Sequence, residues 1–149
     1  MENDGIIIRD ASEDDLPAIH ELEARSFSSP WSMEGLRREL SISFSHVLVA
    51  ELDGSLAGYA VAWDVKGDIN LNHLAVAEPL RRRGVGSALV RALMDRLAVR
   101  GGQCVYLEVG ARNKGARAFY TRLGFRENGL RKNYYPDDDA VLMHMEIGK

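Results

Sequence analysis

Apolar residues recur with two different periods along this chain, and the alternation between the two predicts its elements. Spacings of three and four residues predict helices, whereas short apolar runs bounded by turn residues predict strands. The predicted helices span residues 16–27, a short stretch after Ser32, residues 84–100 and residues 113–123. The predicted strands span residues 6–9, 46–52, 55–65, 69–76, 104–109, 125–130 and 140–147.

The order of these elements predicts an α+β fold built on a mixed sheet. Asp53 and Gly54 form a hairpin turn between two strands, because this dipeptide suits a tight two-residue connection. The helix between strands 69–76 and 104–109 predicts a parallel, right-handed crossover. A doubly wound fold is excluded, since its strands and helices would alternate throughout. No linker or repeat interrupts the pattern, so residues 1–149 are interpreted as a single domain.

Composition restricts the compartment and the partners. The net charge is −3, and no apolar stretch approaches the length of about 18 residues that a membrane span needs, so neither nucleic acid nor a membrane is an expected partner. The acidic N-terminus has no apolar signal segment, and the one cysteine, Cys104, allows no internal disulfide. We expect a cytoplasmic protein that is monomeric or weakly dimeric. The four histidines lack the spacing of metal ligands, so no metal is expected.

A basic segment that contains two glycines carries the first chemical signal. Gly84 and Gly86 open a helix behind the three consecutive arginines at 81–83. Glycines let backbone N–H groups approach a ligand, and a helix N-terminus favours negative charge, so the segment predicts a pyrophosphate site. A lysine-containing phosphate loop is excluded because no Lys-Ser or Lys-Thr pair follows Gly86, and Leu89 occupies the third glycine position of a dinucleotide fingerprint. The structural alternative is a solvated arginine turn.

Two motifs in order give a family resemblance. The motif Arg81-x-x-Gly84-x-Gly86 follows a strand that ends at residues 74–76, and it is similar to the acetyl-CoA-binding motif of the GNAT family of N-acetyltransferases. The segment 113–125 resembles the next helix of that family and its Gly-Phe exit. The resemblance covers residues 6–147. It implies a mixed, mostly antiparallel seven-stranded sheet that has splayed central strands and about four flanking helices.

Shorter matches narrow the resemblance to one branch. Pro30-Trp31-Ser32, Leu107-Glu108-Val109 and residues 133–136 are similar to the RimI branch, the ribosomal-protein-alanine N-acetyltransferases. This implies that the amine of a protein N-terminus, with a ribosomal protein as one candidate, attacks the thioester of acetyl-CoA directly. The resemblance makes Glu108 the base and Tyr120 the acid. The implied walls of the substrate groove are Phe27, Trp31, Tyr134 and Tyr135, and the implied acetyl-CoA ligands are Leu74, Ala75, Val76, Arg81, Arg82, Arg83, Gly84, Val85, Gly86, Ser87 and Asn113.

The residues by themselves leave alternatives open. By spacing alone, Glu108 is an outward-facing strand carboxylate in an ion pair, and Tyr120 is a core aromatic. Tyr134 and Tyr135 are equally well explained as ordinary aromatics at the end of a sheet. Two other functions suit the same scaffold: acetyl transfer to lysine or a small amine, and a catalytically silent CoA-sensing module.

Overall fold

A computed structural model describes residues 5–81 and 83–147, which form seven strands and four α-helices in the order that the hydrophobic pattern predicts. The strands are β1 (Ile6–Asp10), β2 (Ser45–Leu52), β3 (Ser55–Val65), β4 (Asp68–Val76), β5 (Cys104–Gly110), β6 (Arg126–Tyr135) and β7 (Asp138–Glu146). The helices are α1 (Leu16–Ser26), α2 (Met33–Glu39), α3 (Val85–Val99) and α4 (Lys114–Leu123), with 3-10 turns at Glu13–Asp15 and Glu78–Leu80.

Local capping chemistry sets several helix ends. The Ser32 hydroxyl oxygen accepts a hydrogen bond from the backbone N–H of Gly35 at 3.0 Å, at the start of α2. The Asn113 side-chain oxygen accepts one from Ala116 at 3.1 Å, at the start of α4. Both satisfy donors that a helix N-terminus leaves unpaired. Gly124 closes α4 with a left-handed φ of 111°, a conformation that costs glycine little.

The strands form one sheet in the order β1-β2-β3-β4-β5-β7-β6. Neighbouring strands are antiparallel except for β4 and β5, whose parallel pairing runs only from Asp68 with Cys104 to Asn70 with Tyr106. Just beyond this pairing, the register with β3 shifts and Asn72 is the extra residue of a β-bulge. A bulge bends the strand that carries it. The sheet therefore splits open in its middle.

Two hydrophobic cores lie on the two faces of this sheet. The larger one packs α3, through Leu89, Leu93 and other buried residues, against strands β2 to β5 and β7. The smaller one packs α1 and α2 against the other face, where Ile19 and Tyr59 are fully buried. The longest described helix, α3, has 15 residues, and no helix in the described parts of the chain is long and apolar enough to cross a membrane.

The predicted fold class is confirmed, including the mixed seven-stranded sheet and its splayed central strands. One predicted boundary is wrong, because the strand expected to end at residue 130 continues to Tyr135 as β6. Nearly all of β6 is exposed, so it has no apolar alternation to reveal its length. Asn133 also interrupts it with a φ of 57°, a left-handed conformation that asparagine tolerates and that sequence patterns associate with turns.

Truncating a buried residue of α3 tests the larger core. Leu89 is 0% exposed, so we expect Leu89→Ala to lower the free energy of unfolding by about 2–5 kcal/mol through lost apolar burial and a residual cavity. Val99 in the same helix is 89% exposed, and Val99→Ala should change that free energy by less than about 0.5 kcal/mol. Urea unfolding measures both variants. Equal effects would contradict the orientation of α3.

Candidate active site

A groove with a volume of about 840 Å³ opens where β4 and β5 separate. The segment after α1, both separated strands, and β6 and β7 contribute to its lining. Its polar lining includes Asn72, His73, Glu108 and Arg131. Its aromatic lining consists of Phe27, Trp31, Trp63, Tyr106, Tyr134 and Tyr135. The four aromatic residues that the sequence predicts as groove walls therefore surround the same cavity as Glu108.

The backbone groups of both separated strands point into the split. Ala77 donates its N–H to the carbonyl of Ala57 at 2.8 Å, so its backbone groups face β3. In an antiparallel ladder, successive residues of a strand direct their backbone groups to alternate sides. The N–H and C=O groups of Leu74 and Val76 therefore point away from β3. The same reasoning applies to β5, because Ala111 donates to Asp139 at 2.8 Å. The backbone groups of Tyr106 and Glu108 consequently point away from β7, toward β4.

The loop before α3 ends at the same split. Gly84 precedes α3 with a left-handed φ of 86°, which favours glycine. A Cβ on Gly86 would lie 3.1 Å from the ring of Phe119, so this glycine allows the first turn of α3 to approach α4 closely. Arg81 donates its Nε–H to the carbonyl of Val76 at 3.2 Å, and Arg83 is exposed. An unpaired helix start with adjacent arginines is suited to an anion.

Glu108 combines a groove position with an ion pair. Its neighbours along β5, Leu107 and Val109, are buried in the larger core, so the Glu108 side chain projects from the other face of the sheet. Arg131 Nη1 lies 3.5 Å from its Oε2, and the Glu108 side chain is 29% exposed. A hydrogen bond to Glu108 and the charge of that carboxylate raise the pKa of Tyr134. The ion pair suggested by the spacing and the groove position suggested by the resemblance are thus both present.

Tyr120 is half-buried and packs against the larger core. Its ring meets those of Phe119 and Phe125 edge-on, with centroid distances of 5.0 and 5.6 Å. Burial, with a smaller contribution from Tyr135, raises the pKa of Tyr120 above its ordinary value of 10.0. A buried phenol of this kind stays neutral at physiological pH and can donate a hydrogen bond.

A fully buried carboxylate, Glu23 of α1, supports the wall opposite Glu108. It accepts hydrogen bonds from the Tyr59 hydroxyl, from His73 Nδ1 at 2.9 Å and from the backbone N–H of Trp31 at 2.9 Å. Burial alone would raise the pKa of Glu23, but the hydrogen bonds, led by that of His73, outweigh it and lower the pKa below 4.5. Glu23 is therefore ionised at neutral pH.

The His73 ring forms the surface of that wall. It stacks between the rings of Phe27 and Trp31, at centroid distances of 4.2 and 3.8 Å. Only 14% of its side chain is exposed, and it lines the groove. The stack and the Glu23 hydrogen bond fix the imidazole on both faces and at one edge.

Comparison with protein-family models identifies the family of this chain. The model of the acetyltransferase (GNAT) family matches residues 16–125, from the start of α1 to the residue that follows the Gly124 cap. The chain belongs to the GNAT family. It is accordingly an N-acetyltransferase, and the predicted enzyme class and family are confirmed.

Relatives of this GNAT protein carry more specific names. The ribosomal protein bS18-alanine N-acetyltransferase of Escherichia coli K12 is 34% identical over 137 residues, which cover 89% of this chain and 92% of that protein. The crystal structure of the ribosomal-protein-S18-alanine N-acetyltransferase from Escherichia coli superposes with a TM-score of 0.89 and 32% identity, covering 97% and 95% of the two chains. The structure of Ard1 from Thermoplasma volcanium has a TM-score of 0.87 and 28% identity, covering 96% and 98%.

The other residues that the sequence predicts to bind acetyl-CoA have different environments. Arg82 lies outside the described residues. Ala75 is paired with Tyr59 of β3 and its side chain is buried in the smaller core, while the Val85 side chain is buried in the larger core. Ser87 lies in the first turn of α3, and Asn113 caps α4 in this GNAT protein. In residues 5–81 and 83–147, no cluster of three or more His, Cys, Asp or Glu side chains is arranged to hold a metal ion.

Sequence reasoning missed Glu23 and Tyr59. Glu23 was assigned only to a helix, and Tyr59 to a strand, yet the two side chains meet across 36 residues of sequence. The one available signal was Glu23 itself, a carboxylate one position from the apolar stripe that Ile19 and Leu22 form. A carboxylate on the buried side of an amphipathic helix requires partners, and thus indicates a polar network.

Replacing Glu23 by Gln tests this network and its charge. At pH 7 we expect Glu23→Gln to lower the free energy of unfolding by about 2–3 kcal/mol, because charged hydrogen bonds are lost while the shape is kept. The folded-state pKa of Glu23 lies below its ordinary value of 4.5. Its stabilising effect is therefore complete above that value and is lost as the pH falls through the folded-state pKa.

Urea unfolding of both proteins between pH 7 and pH 3 measures the effect. The difference in unfolding free energy between wild type and Glu23→Gln should be constant near neutrality and shrink below about pH 4.5. A difference that grows toward acid pH would mean that Glu23 is protonated in the folded protein.

Proposed function

We propose that this protein transfers the acetyl group of acetyl-CoA to the N-terminal α-amino group of a protein, in the cytoplasm and with a ribosomal protein as the acceptor. The observation that carries the proposal is the split sheet, which joins an anion-binding loop, two free strand edges and a carboxylate-containing groove. The relative from Escherichia coli that is 34% identical has this specificity in its name.

The donor side consists of groups that suit acetyl-CoA. Its pyrophosphate would lie at the loop 81–87, where the α3 start at Gly84 has no side-chain cap to use its backbone N–H groups. The outward backbone groups of Leu74 and the N–H of Val76 offer an edge on which the amide groups of pantetheine can pair, as an added strand would. When bound, acetyl-CoA supplies a thioester whose carbonyl carbon is open to attack by an amine.

The acceptor side provides the proton chemistry. Glu108 lies beside the split and removes a proton from the amine nitrogen, since a carboxylate on the groove surface is within reach of a peptide N-terminus bound there. The aromatic walls formed by Phe27, Trp31, Tyr134 and Tyr135 leave an open groove for the first residues of a chain. Tyr120 donates a hydrogen bond to the leaving sulfur rather than a whole proton, because burial raises its pKa.

The free energy of deprotonation favours an α-amine over lysine. An α-ammonium group has an ordinary pKa of about 7.7–8.0, whereas that of a lysine side chain is about 10.4. The gap of about 2.5 units corresponds to about 3.5 kcal/mol that a lysine acceptor would add to the barrier. One partly buried carboxylate, that of Glu108, is therefore better matched to an α-amine.

Two peptides that differ only in their amines test the proposal. One begins with a free alanine and contains no lysine, and its twin has an acetylated N-terminus and one lysine. We expect kcat/KM for the first peptide to exceed that for the second by about 300-fold, in line with the difference in deprotonation free energy. CoA release, followed with a thiol reagent, measures both rates.

The outcomes separate the competing functions. Equal rates, or preference for the lysine peptide or a polyamine, would favour acetyl transfer to a side chain or small amine. Binding of acetyl-CoA without acceptor-dependent CoA release would favour the CoA-sensing module. Either result contradicts transfer to an N-terminus.

Replacing Glu108 by Gln tests its role as a base. We expect Glu108→Gln to lower kcat by about 100-fold or more, a typical loss for a general base, with little change in the Kd of acetyl-CoA. The matched control is Glu127→Gln on exposed β6, where Glu127 pairs with Arg117 at 2.8 Å. If both variants keep wild-type turnover, Glu108 is only the partner of Arg131.

A further inference from the structure

His73 and Glu108 lie on opposite sides of the split in the sheet. The parallel register pairs Asn70 with Tyr106. If this register is continued along β4 and β5, and the bulged residue Asn72 is not counted, His73 comes level with Glu108. Both side chains project from the face that carries α1, and both line the groove. An amine placed over the split therefore has a potential proton acceptor on each side.

The hydrogen bond to Glu23 determines which nitrogen of His73 is free. Glu23 is ionised and buried, so its oxygen can only accept, and His73 Nδ1 must carry the hydrogen of their 2.9 Å contact. In the neutral ring, Nε2 then holds a lone pair. Because the Nδ1 edge is turned toward buried Glu23, the edge that reaches the groove carries Nε2.

Acetyl transfer to an ammonium group requires two protons to leave the same nitrogen. The first must leave before attack, because only the neutral amine has a lone pair. After the nitrogen has bonded to the thioester carbonyl carbon, a second proton leaves as the C–S bond breaks and the amide forms. One proton ends on the CoA thiolate and one is released, so the reaction balances as ammonium plus thioester giving amide, thiol and one proton.

We propose that His73 Nε2 is a second catalytic base, which takes the first proton from the acceptor ammonium while Glu108 takes the second. This inference rests on the proposed function. An imidazole matches an α-ammonium in basicity more closely than a carboxylate does, which suits it to the first step. Glu23 is the positioning residue, since it fixes the tautomer and stabilises the imidazolium that forms.

Several charged or titratable groups face His73 and share its electrostatic environment. From α1 and β3 these are Glu23 and Tyr59, and from across the groove they are Glu108, Arg131, Tyr134 and Tyr135. Arg131 is paired with Glu108, whereas Glu23 has its hydrogen bonds from neutral or titratable donors alone. The charge that contacts the imidazole directly is therefore that of Glu23, at Nδ1.

Two substitutions of His73 separate catalysis from packing. His73→Asn keeps an N–H donor for Glu23, and His73→Phe keeps the stack between Phe27 and Trp31. We expect kcat/KM for the alanine-initiated peptide to fall by about 10-fold to 100-fold in both, while the Kd of acetyl-CoA is unchanged. The pH profile of kcat/KM should also lose the limb due to imidazole, leaving the limb of the peptide amine.

Nitrogen NMR provides a readout that a packing role would not move. In the wild-type protein it should find the hydrogen of neutral His73 on Nδ1, where the ring meets Glu23. Addition of the peptide with CoA should shift the Nε2 resonance.

The outcomes distinguish this inference from the proposed function. If wild type transfers acetyl to the alanine-initiated peptide and both His73 variants keep its imidazole limb, the second base is overturned and the proposed function stands. A neutral ring protonated at Nε2 would overturn it as well. If wild type transfers acetyl to no α-amine peptide, both fail together.

Discussion

The separation of β4 from β5 is the constraint on which the rest of the site depends. Their pairing ends after Asn70 and Tyr106, and the bulge at Asn72 turns β4 away. A split inside a sheet leaves backbone donors and acceptors without strand partners, and such groups must be satisfied by water or by a ligand. In this protein the unpaired backbone groups belong to both β4 and β5. The separation of these strands therefore leaves an open backbone edge on β4 and places Glu108 of β5 beside it. The loop before α3, which is the proposed pyrophosphate site, follows β4 directly because α3 is the crossover between these two strands.

The buried Glu23 network is the second constraint, and it stiffens the acceptor wall. A buried carboxylate is costly unless every lone pair is well used. Tyr59, His73 and the Trp31 backbone supply donors from two strands and from the segment after α1, so this one charge fixes three parts of the fold to each other. The wall is therefore held by hydrogen bonds with defined directions as well as by packing. Such a network specifies one geometry for the groove more narrowly than apolar contacts would.

Local sequence signals predicted the local features of this molecule well. The helix starts near Ser32 and Asn113, the hairpin turn and the glycines before α3 depend on nearest neighbours, which is why they are visible in the sequence. The meeting of Glu23 with His73 spans 50 positions and depends on how α1 packs against the sheet. No periodicity encodes that contact. The full length of β6 was hidden for another reason, because an exposed edge strand needs no apolar alternation.

In the proposed reaction, the two faces of the sheet have different parts in the proton chemistry. Tyr120 packs against the larger core, where burial raises the pKa of its hydroxyl, so the part proposed for it is a hydrogen bond to the leaving thiolate and not the transfer of a proton. Glu108 and His73 lie on the groove face and remain partly exposed. A reaction that releases one proton overall needs an outlet to water, and bases that contact the open groove provide it. In the proposed reaction, the hydrogen bond to sulfur therefore comes from the side of the larger core, and the proton leaves through the open groove that Glu108 and His73 line.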